Sequence, residues 1–394
     1  DGVLEETALM PVMGVFPEIG EAGQRTMVSE GVKLYTRFGF TTAQEGRASP
    51  PDLEIFMAMA DAGELDIDVV AYPDYWMTKG MLDDNPWMGR EYRGRFRIGG
   101  VKGNLDGSPQ GKTAWLTEPY YVPPEGREAD YAGYGMLQEE QALAMFDEAF
   151  AKGWQVLNHA NGDAAMDQMI RAAGAATEKY GPADRRTVGI HSQTIRPDQL
   201  DAYQELGIIP SFFGMHTFYW GDWHRDSVLG PERAAFISPA RAALDRGMLY
   251  TQHHDAPVAL PSSIAILAAQ VNRTTRSGEV LGPDQRVTPM DALRSITINA
   301  AYQYFEEDSK GSIEVGKLAD FVVLSGDPTA IDPETIDKEL GWAESIGMNT
   351  LRVYLHDLVC ANDEKGLYDR MDQFLTICRK HGIRPHFVFF DDCH

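Results

Sequence analysis

Two histidines each close an apolar run, His159 in LNHANGD and His191 in VGIHSQ, and Asp255 follows a third run in TQHHDAP. A lone histidine at a strand end is most often a hydrogen-bonded structural residue. Two at successive strand ends, followed by an aspartate at another, point to a metal centre. Imidazole nitrogen and carboxylate oxygen suit zinc and similar divalent ions. Lys102 ends the run IGGVK. An ammonium beside a cation is costly, so Lys102 is either a salt-bridged or snorkelling lysine or a carbamate formed with carbon dioxide. A carbamate is anionic and could bridge two metals. His253 and His254 adjoin Asp255, and successive strand residues face opposite ways, so at most one of them shares its site. A carboxylate beside activated water can take its proton and pass it to a leaving amine.

Further candidates follow these runs. Asp106 and Ser108, with Trp115 and Tyr120, lie just after Lys102 and are placed to contact a substrate. The stretch MHTFYWGDWH holds His216 and Trp220 among other aromatics and suits either a pocket rim or a core.

The elements that must position these residues alternate. Short apolar runs at 40–44, 67–72, 98–102, 155–159, 187–191, 208–212 and 249–253 are separated by amphipathic stretches at 139–152, 164–179 and 197–206. Strands separated by helices imply βαβ units and a parallel sheet, in either a barrel or a doubly wound arrangement. The polar residues at the strand ends favour the barrel, whose C-terminal ends converge on one mouth. Residues 311–324 (GSIEVGKLADFVVL) read as a glycine turn and a short buried strand of a separate small β domain. The tail carries one more βαβ unit, with helices at 333–346 and 366–381 and strands at 350–355 and 385–390.

Composition narrows the partners. Thirty-five basic against 59 acidic residues give a net charge of -24, which repels phosphate backbones and excludes nucleic acid as a partner. No run of 18 apolar residues occurs, so no membrane span is expected. All three cysteines (Cys360, Cys378, Cys393) lie in the tail, so the main body has no disulfide framework. The expected partner is a small-molecule substrate. A homo-oligomer is compatible with the exposed sheet edges described below, and the location is left open between cytoplasmic and exported.

Seven stretches occur in order: VKGNLDGSPQGKTAWLTEPY, HANGDAAMDQ, IHSQ, the aromatic loop ending WGDWH, HHDAPV, ALRSITINAA and GSIEVGKLADFVVL. Together they resemble the amidohydrolase superfamily over residues 1–330, within it the amidohydrolase-3 group that includes N-substituted formamide deformylases. The resemblance implies a distorted (β/α)8 TIM-type barrel with a small β-sandwich. It implies one or two divalent ions, zinc foremost, with Lys102, His159, His191 and Asp255 as ligands. Lys102 would be the carbamate and Asp255 the proton shuttle. The implied reaction is hydrolysis of a carbon–nitrogen bond other than a peptide bond, in an amide, imide or formamide, by metal-activated hydroxide.

The superfamily carries a His-x-His pair on its first strand, whereas no histidine precedes His159 here. The expectation is therefore an α/β chain with an incomplete barrel (1–305) lacking its first strand and second metal site, and exposing two sheet edges. A β-sandwich remnant (306–330) and a βαβ fragment (333–394) would follow. The last resembles the start of a cellulase- or xylanase-like glycoside-hydrolase barrel, as in a chimera of two truncated genes. An inactive fragment is the alternative function, and a carbohydrate-active enzyme a weaker one.

Overall fold

The computed structural model describes Val15, residues 19–322, and two strands in the tail, Thr350–Leu355 and Arg384–Phe389. The chain divides into two compact units, Asp1–Asp320 and Phe321–His394.

The first unit opens with α1 (Glu21–Arg37), β1 (Thr42–Ala48), α2 (Pro50–Ala62) and β2 (Asp68–Pro73). The single strand expected at 98–102 is two, β3 (Phe96–Ile98) and β4 (Gly100–Asn104). The pair Gly99–Gly100 causes the split. A Cβ on Gly99 would lie 2.7 Å from the Tyr72 ring, and one on Gly100 would lie 2.1 Å from the Gln155 carbonyl. Only glycines let the chain sidestep there, so β3 pairs with β2 and β4 pairs with the next strand.

From β4 the sheet runs through β5 (Gln155–Ala160), β6 (Val188–His191) and β7 (Ile209–Phe212) to β8 (Thr251–Gln252), every pair parallel. A parallel bridge between Asp74 and Lys102 joins the end of β2 to β4. Among the described residues β1 pairs only with β2, and β8 only with β7. The two flanks nevertheless meet through side chains. The His254 ring lies 5.3 Å from Tyr35 and 5.5 Å from Phe40, and Ser263 Oγ donates to the Phe38 carbonyl at 3.0 Å.

Helical crossovers cover the sheet, and their apolar spacing explains their orientation. In α3 (Glu139–Ala151) the buried residues are Ala142, Met145, Phe146, Ala149 and Phe150, a single stripe. In α4 (Asp163–Tyr180) the stripe runs through Ala165, Met169, Ala172, Ala173 and Ala176. Its small side chains let the helix backbone pack closely. The helix α5 (Pro197–Leu206) has proline in its first turn and ends at Gly207 in the left-handed region.

The N-terminal ends of the strands carry a buried ionic cluster. Arg97 Nη2 donates to Glu306 Oε1 at 2.8 Å, and Tyr92 Oη donates to the same oxygen at 2.7 Å. Lys310 reaches Glu306 at 2.7 Å and Asp68 at 2.6 Å. Glu306 and Lys310, from the stretch expected to begin a β-sandwich remnant, are thus tied to Arg97 on β3 and Asp68 on β2. The buried strand expected within 311–324 is not formed by its described part. Residues 311–322 make turns and irregular backbone, with Ile313, Val315, Phe321 and Val322 exposed. Apolar side chains alone do not make a strand, which also needs a hydrogen-bonding neighbour. Residues 323–330 and the two tail helices lie outside the described residues. In the second unit the two tail strands, β9 (Thr350–Leu355) and β10 (Arg384–Phe389), pair in parallel, as a βαβ unit requires.

Glu306→Ala leaves the Arg97 guanidinium buried without its carboxylate. It should cost about 3–5 kcal/mol, read as a fall in the denaturation midpoint. A loss under about 1 kcal/mol would show that the cluster is not a determinant of the fold.

Candidate metal centre

Parallel strands deliver their C-terminal residues to one end of the sheet. His159 is the penultimate residue of β5, His191 ends β6, and His253 directly follows β8. Their rings form a continuous chain. His191 Nε2 lies 3.0 Å from His159 Nδ1, and His253 Nε2 lies 2.9 Å from His191 Nδ1. His159 Nε2 lies 2.9 Å from the Gly107 carbonyl, and Ser211 Oγ on β7 lies 3.2 Å from His253 Nδ1.

One donor atom from each of His191, His253 and Asp255 falls within 4.8 Å of the others. Of the two histidines left open by the sequence, His253 therefore faces the site. His254 is turned away, its ring against Tyr35 and Phe40. Two of these residues adopt backbone that L side chains rarely take, His191 at φ 73° and Asp255 at φ 55°. Such strain is held only where surrounding contacts over-determine it, and it gathers at functional sites.

The charges at the site oppose burial. Lys102 is buried on β4, and burial lowers its ammonium to about 8, with Asp255 the largest influence favouring the charged form. Burial also drives His191 and His253 well below the usual imidazole range, assisted by their neighbours' positive charge. Both rings thus stay neutral, with a lone pair to offer. Asp255 is exposed to solvent, yet the protein around it pushes its carboxyl up, while Lys102 and His159 pull it back down. Glu45 on β1, which the sequence reading missed, is also raised by burial and is drawn down partly by Lys102. Its strand position gave no chemical signal, since only the fold brings it near Lys102.

The expected substrate residues fare differently. Asp106 is fully buried, and its carboxylate accepts from the backbone N–H groups of Asn161 (2.9 Å), Trp115 (2.9 Å) and Gly162 (2.7 Å). It fastens the loop after β4 to the turn between β5 and α4. The approach is close: a Cβ on Gly162 would sit 1.9 Å from the Trp115 carbonyl. Tyr120 is likewise buried, and its hydroxyl donates to the Ala114 carbonyl at 2.7 Å. The polar groups of Asp106 and Tyr120 are spent within the protein, because a buried polar group must find a partner. Ser108 orders the same loop, its N–H donating to Thr113 Oγ1 at 2.8 Å. Trp115 is half-buried against the main core.

His216 and Trp220 lie on α6 (His216–Trp223). The His216 ring is 4.7 Å from both Phe213 and Trp220, and Phe213 is 5.3 Å from His253. His216 is buried and paired with His224 at 2.9 Å. These aromatics form a wall behind the imidazole chain, combining the rim and core readings.

The amidohydrolase family model matches residues 1–356. The chain belongs to the amidohydrolase family. The match runs past residue 330, where the sequence resemblance was placed to end. Among the relatives of this amidohydrolase is N-substituted formamide deformylase of Arthrobacter pascens, 30% identical over 202 residues. That match covers 50% of this chain and 36% of the deformylase. Protein LONG AFTER FAR-RED 3 of Arabidopsis thaliana is 32% identical over 235 residues, or 58% of this chain and 38% of that protein. The matched stretch thus spans less than half the length of these curated relatives. A metal-dependent hydrolase from Pyrococcus horikoshii has the same fold, with a TM-score of 0.70 at 24% identity. That likeness covers 84% of this chain and 65% of the other.

Two stability tests follow for the chelator-treated amidohydrolase. Burial holds His224 at about 3 and His254 at about 4, against 6.5 in an unfolded chain. Between those values the unfolded state binds more protons, so stability is complete above pH 6.5 and falls as the pH drops below it. Denaturant titrations should lose about 1 kcal/mol per buried histidine between pH 7 and 5.5. An unchanged midpoint would mean these rings protonate freely in the folded state. For Lys102 the charged form is disfavoured by folding at pH 7, by about 3 kcal/mol. Lys102→Met should therefore raise stability there, with the gain fading between pH 8 and 10.5. A loss at pH 7 would show that contacts of the ammonium outweigh its burial.

Proposed function

We propose that this chain is a metal-dependent hydrolase of carbon–nitrogen bonds other than peptide bonds, acting on an amide, imide or formamide. The observation that carries the reading is the grouping of His191, His253 and Asp255 donor atoms within 4.8 Å of one another, with His159 joined through His191 and with Lys102, midway along β4, acting electrostatically on the first three. The donor set fits a divalent ion, zinc foremost: neutral imidazole nitrogens, a carboxylate, and N–N gaps near 3.0 Å. Two nitrogens sharing a tetrahedral ion at ~2.05 Å stand roughly 3.3 Å apart, so a shift of a few tenths of an ångström admits it.

His191 would hold an ion together with either His159 or His253, Asp255 would complete the set, and Lys102 would join it as a carbamate. The ammonium of Lys102, easier to deprotonate than that of an exposed lysine, would lose one proton to solvent, and the amine would add carbon dioxide and release a second. The product would be an anionic carbamate in place of the buried positive charge. When bound, a divalent ion polarises a carbonyl and acidifies water. Asp255 supplies the proton handling. Its carboxylate oxygen takes a proton and delivers it to the leaving nitrogen, and its raised affinity for protons suits that exchange. The Phe213, His216 and Trp220 wall excludes water and favours a partly apolar substrate. The deformylase named above acts, by its name, on N-substituted formamides, which makes that class the first to assay.

The test is metal analysis of the purified protein with hydrolysis assays on an N-substituted formamide and a cyclic imide. The expected result is a tightly held divalent ion and chelator-sensitive turnover. Asp255→Asn should lower kcat by about 10²–10⁴-fold, with metal content measured alongside to separate a lost shuttle from a lost ion. No metal retained at micromolar zinc would sink the proposal and leave the inactive-fragment reading.

A further inference from the structure

The imidazole chain has a direction, set at one end. His159 Nε2 lies 2.9 Å from the Gly107 carbonyl and 3.4 Å from Asp106 Oδ1, which only accept, and 3.2 Å from Asn161 Nδ2, which already donates to Gly107 O at 2.9 Å; the two acceptors place a proton on His159 Nε2. In a neutral ring Nδ1 is then a lone pair, and it accepts from His191 Nε2–H. His191 Nδ1 accepts in turn from His253 Nε2–H, and His253 Nδ1 accepts from the Ser211 hydroxyl. Without metal all three rings carry their proton on Nε2.

An ion can engage either gap in this chain, and the two cases make the same demand on Ser211. If it takes His159 Nδ1 and His191 Nε2, the His191 proton moves to Nδ1 and donates to His253 Nε2. His253 must then carry its own proton on Nδ1. If the ion takes His191 Nδ1 and His253 Nε2, His253 again carries its proton on Nδ1. Either way a buried N–H points at Ser211 Oγ, which must change from donor to acceptor. No proton is gained or lost by the rings; only the tautomers change. A hydroxyl makes this reversal by rotating about its C–O bond, and Ser211 is buried at 3% exposure, where water does not readily replace it.

We propose that Ser211 is a positioning residue of the metal centre, its hydroxyl reversing the hydrogen bond to His253 Nδ1 when an ion binds. The proposal rests on the reading that these imidazoles hold a metal. It goes beyond that reading in assigning the reversal to a β7 residue outside the ligand set.

The test uses the full chain stripped with EDTA and titrated with zinc chloride. In ¹⁵N-histidine-labelled wild type, long-range ¹H–¹⁵N spectra should show His253 protonated on Nε2 before zinc and on Nδ1 after it. Calorimetry should show Ser211→Ala weakening zinc binding by ~10–100-fold, as losses of groups that orient ligands do. Ser211→Thr should stay within about 3-fold of wild type. A merely structural serine would lower the melting temperature of the metal-free protein and leave zinc affinity unchanged. That result, or a His253 tautomer unchanged by zinc, overturns the proposal while the metal reading stands. Failure of wild type to bind zinc overturns both, and the metal-free spectrum still tests the hydrogen-bond direction if the alanine variant does not fold.

Discussion

The buried carboxylate of Asp106 holds the mouth of the barrel together. Its two oxygens collect three backbone N–H groups from two loops that are far apart in sequence. That fastening fixes the next residue, Gly107, whose carbonyl takes both His159 Nε2–H and an Asn161 side-chain N–H at 2.9 Å. The orientation of His159 sets that of His191, and His191 sets that of His253. A carboxylate buried without such donors would carry a large desolvation penalty. Here the donors are main-chain groups that the loops must satisfy in any case. The order of the site is therefore a by-product of closing two loops.

The two ends of the barrel handle charge in opposite ways. At the N-terminal ends of the strands, Arg97, Glu306, Lys310 and Asp68 pair charge against charge at 2.6–2.8 Å, an arrangement that stabilises. Toward the C-terminal ends, Lys102 and His191 are buried beside the partly buried rings of His159 and His253, with Asp255 as the carboxylate nearest in effect. Neighbouring positive charge disfavours the charged forms of His191 and His253, and His191 and Asp255 sit in rare backbone conformations. Such an assembly is tolerated because the opposite end and the helix stripes supply the stability. It is also an arrangement whose imidazole lone pairs, now spent on one another and on Ser211, could be offered to an ion.

The sequence alone determined the alternation of strands and helices and the identity of the strand-end residues. Both follow from local rules: apolar periodicity marks an element, and a polar residue after an apolar run marks its end. His159, His191 and Asp255 do lie at or just after strand ends, whereas Lys102 lies midway along β4, which runs on to Asn104; the family followed from motifs in a fixed order. The tertiary structure decided what depends on distant partners. It selected His253 over His254, since adjacent residues differ only in the face they present. It drew Glu45 and Ser211 toward the site from strands that carried no chemical signal. It assigned Asp106 and Tyr120 to loop closure, because a buried oxygen is committed to whichever N–H or carbonyl the fold places beside it. It split one expected strand at Gly99–Gly100, where the Tyr72 ring and the Gln155 carbonyl leave no room for a Cβ. A sequence states which groups are available; which of them meet is decided by long-range packing, and the chemistry of this site lies in those meetings.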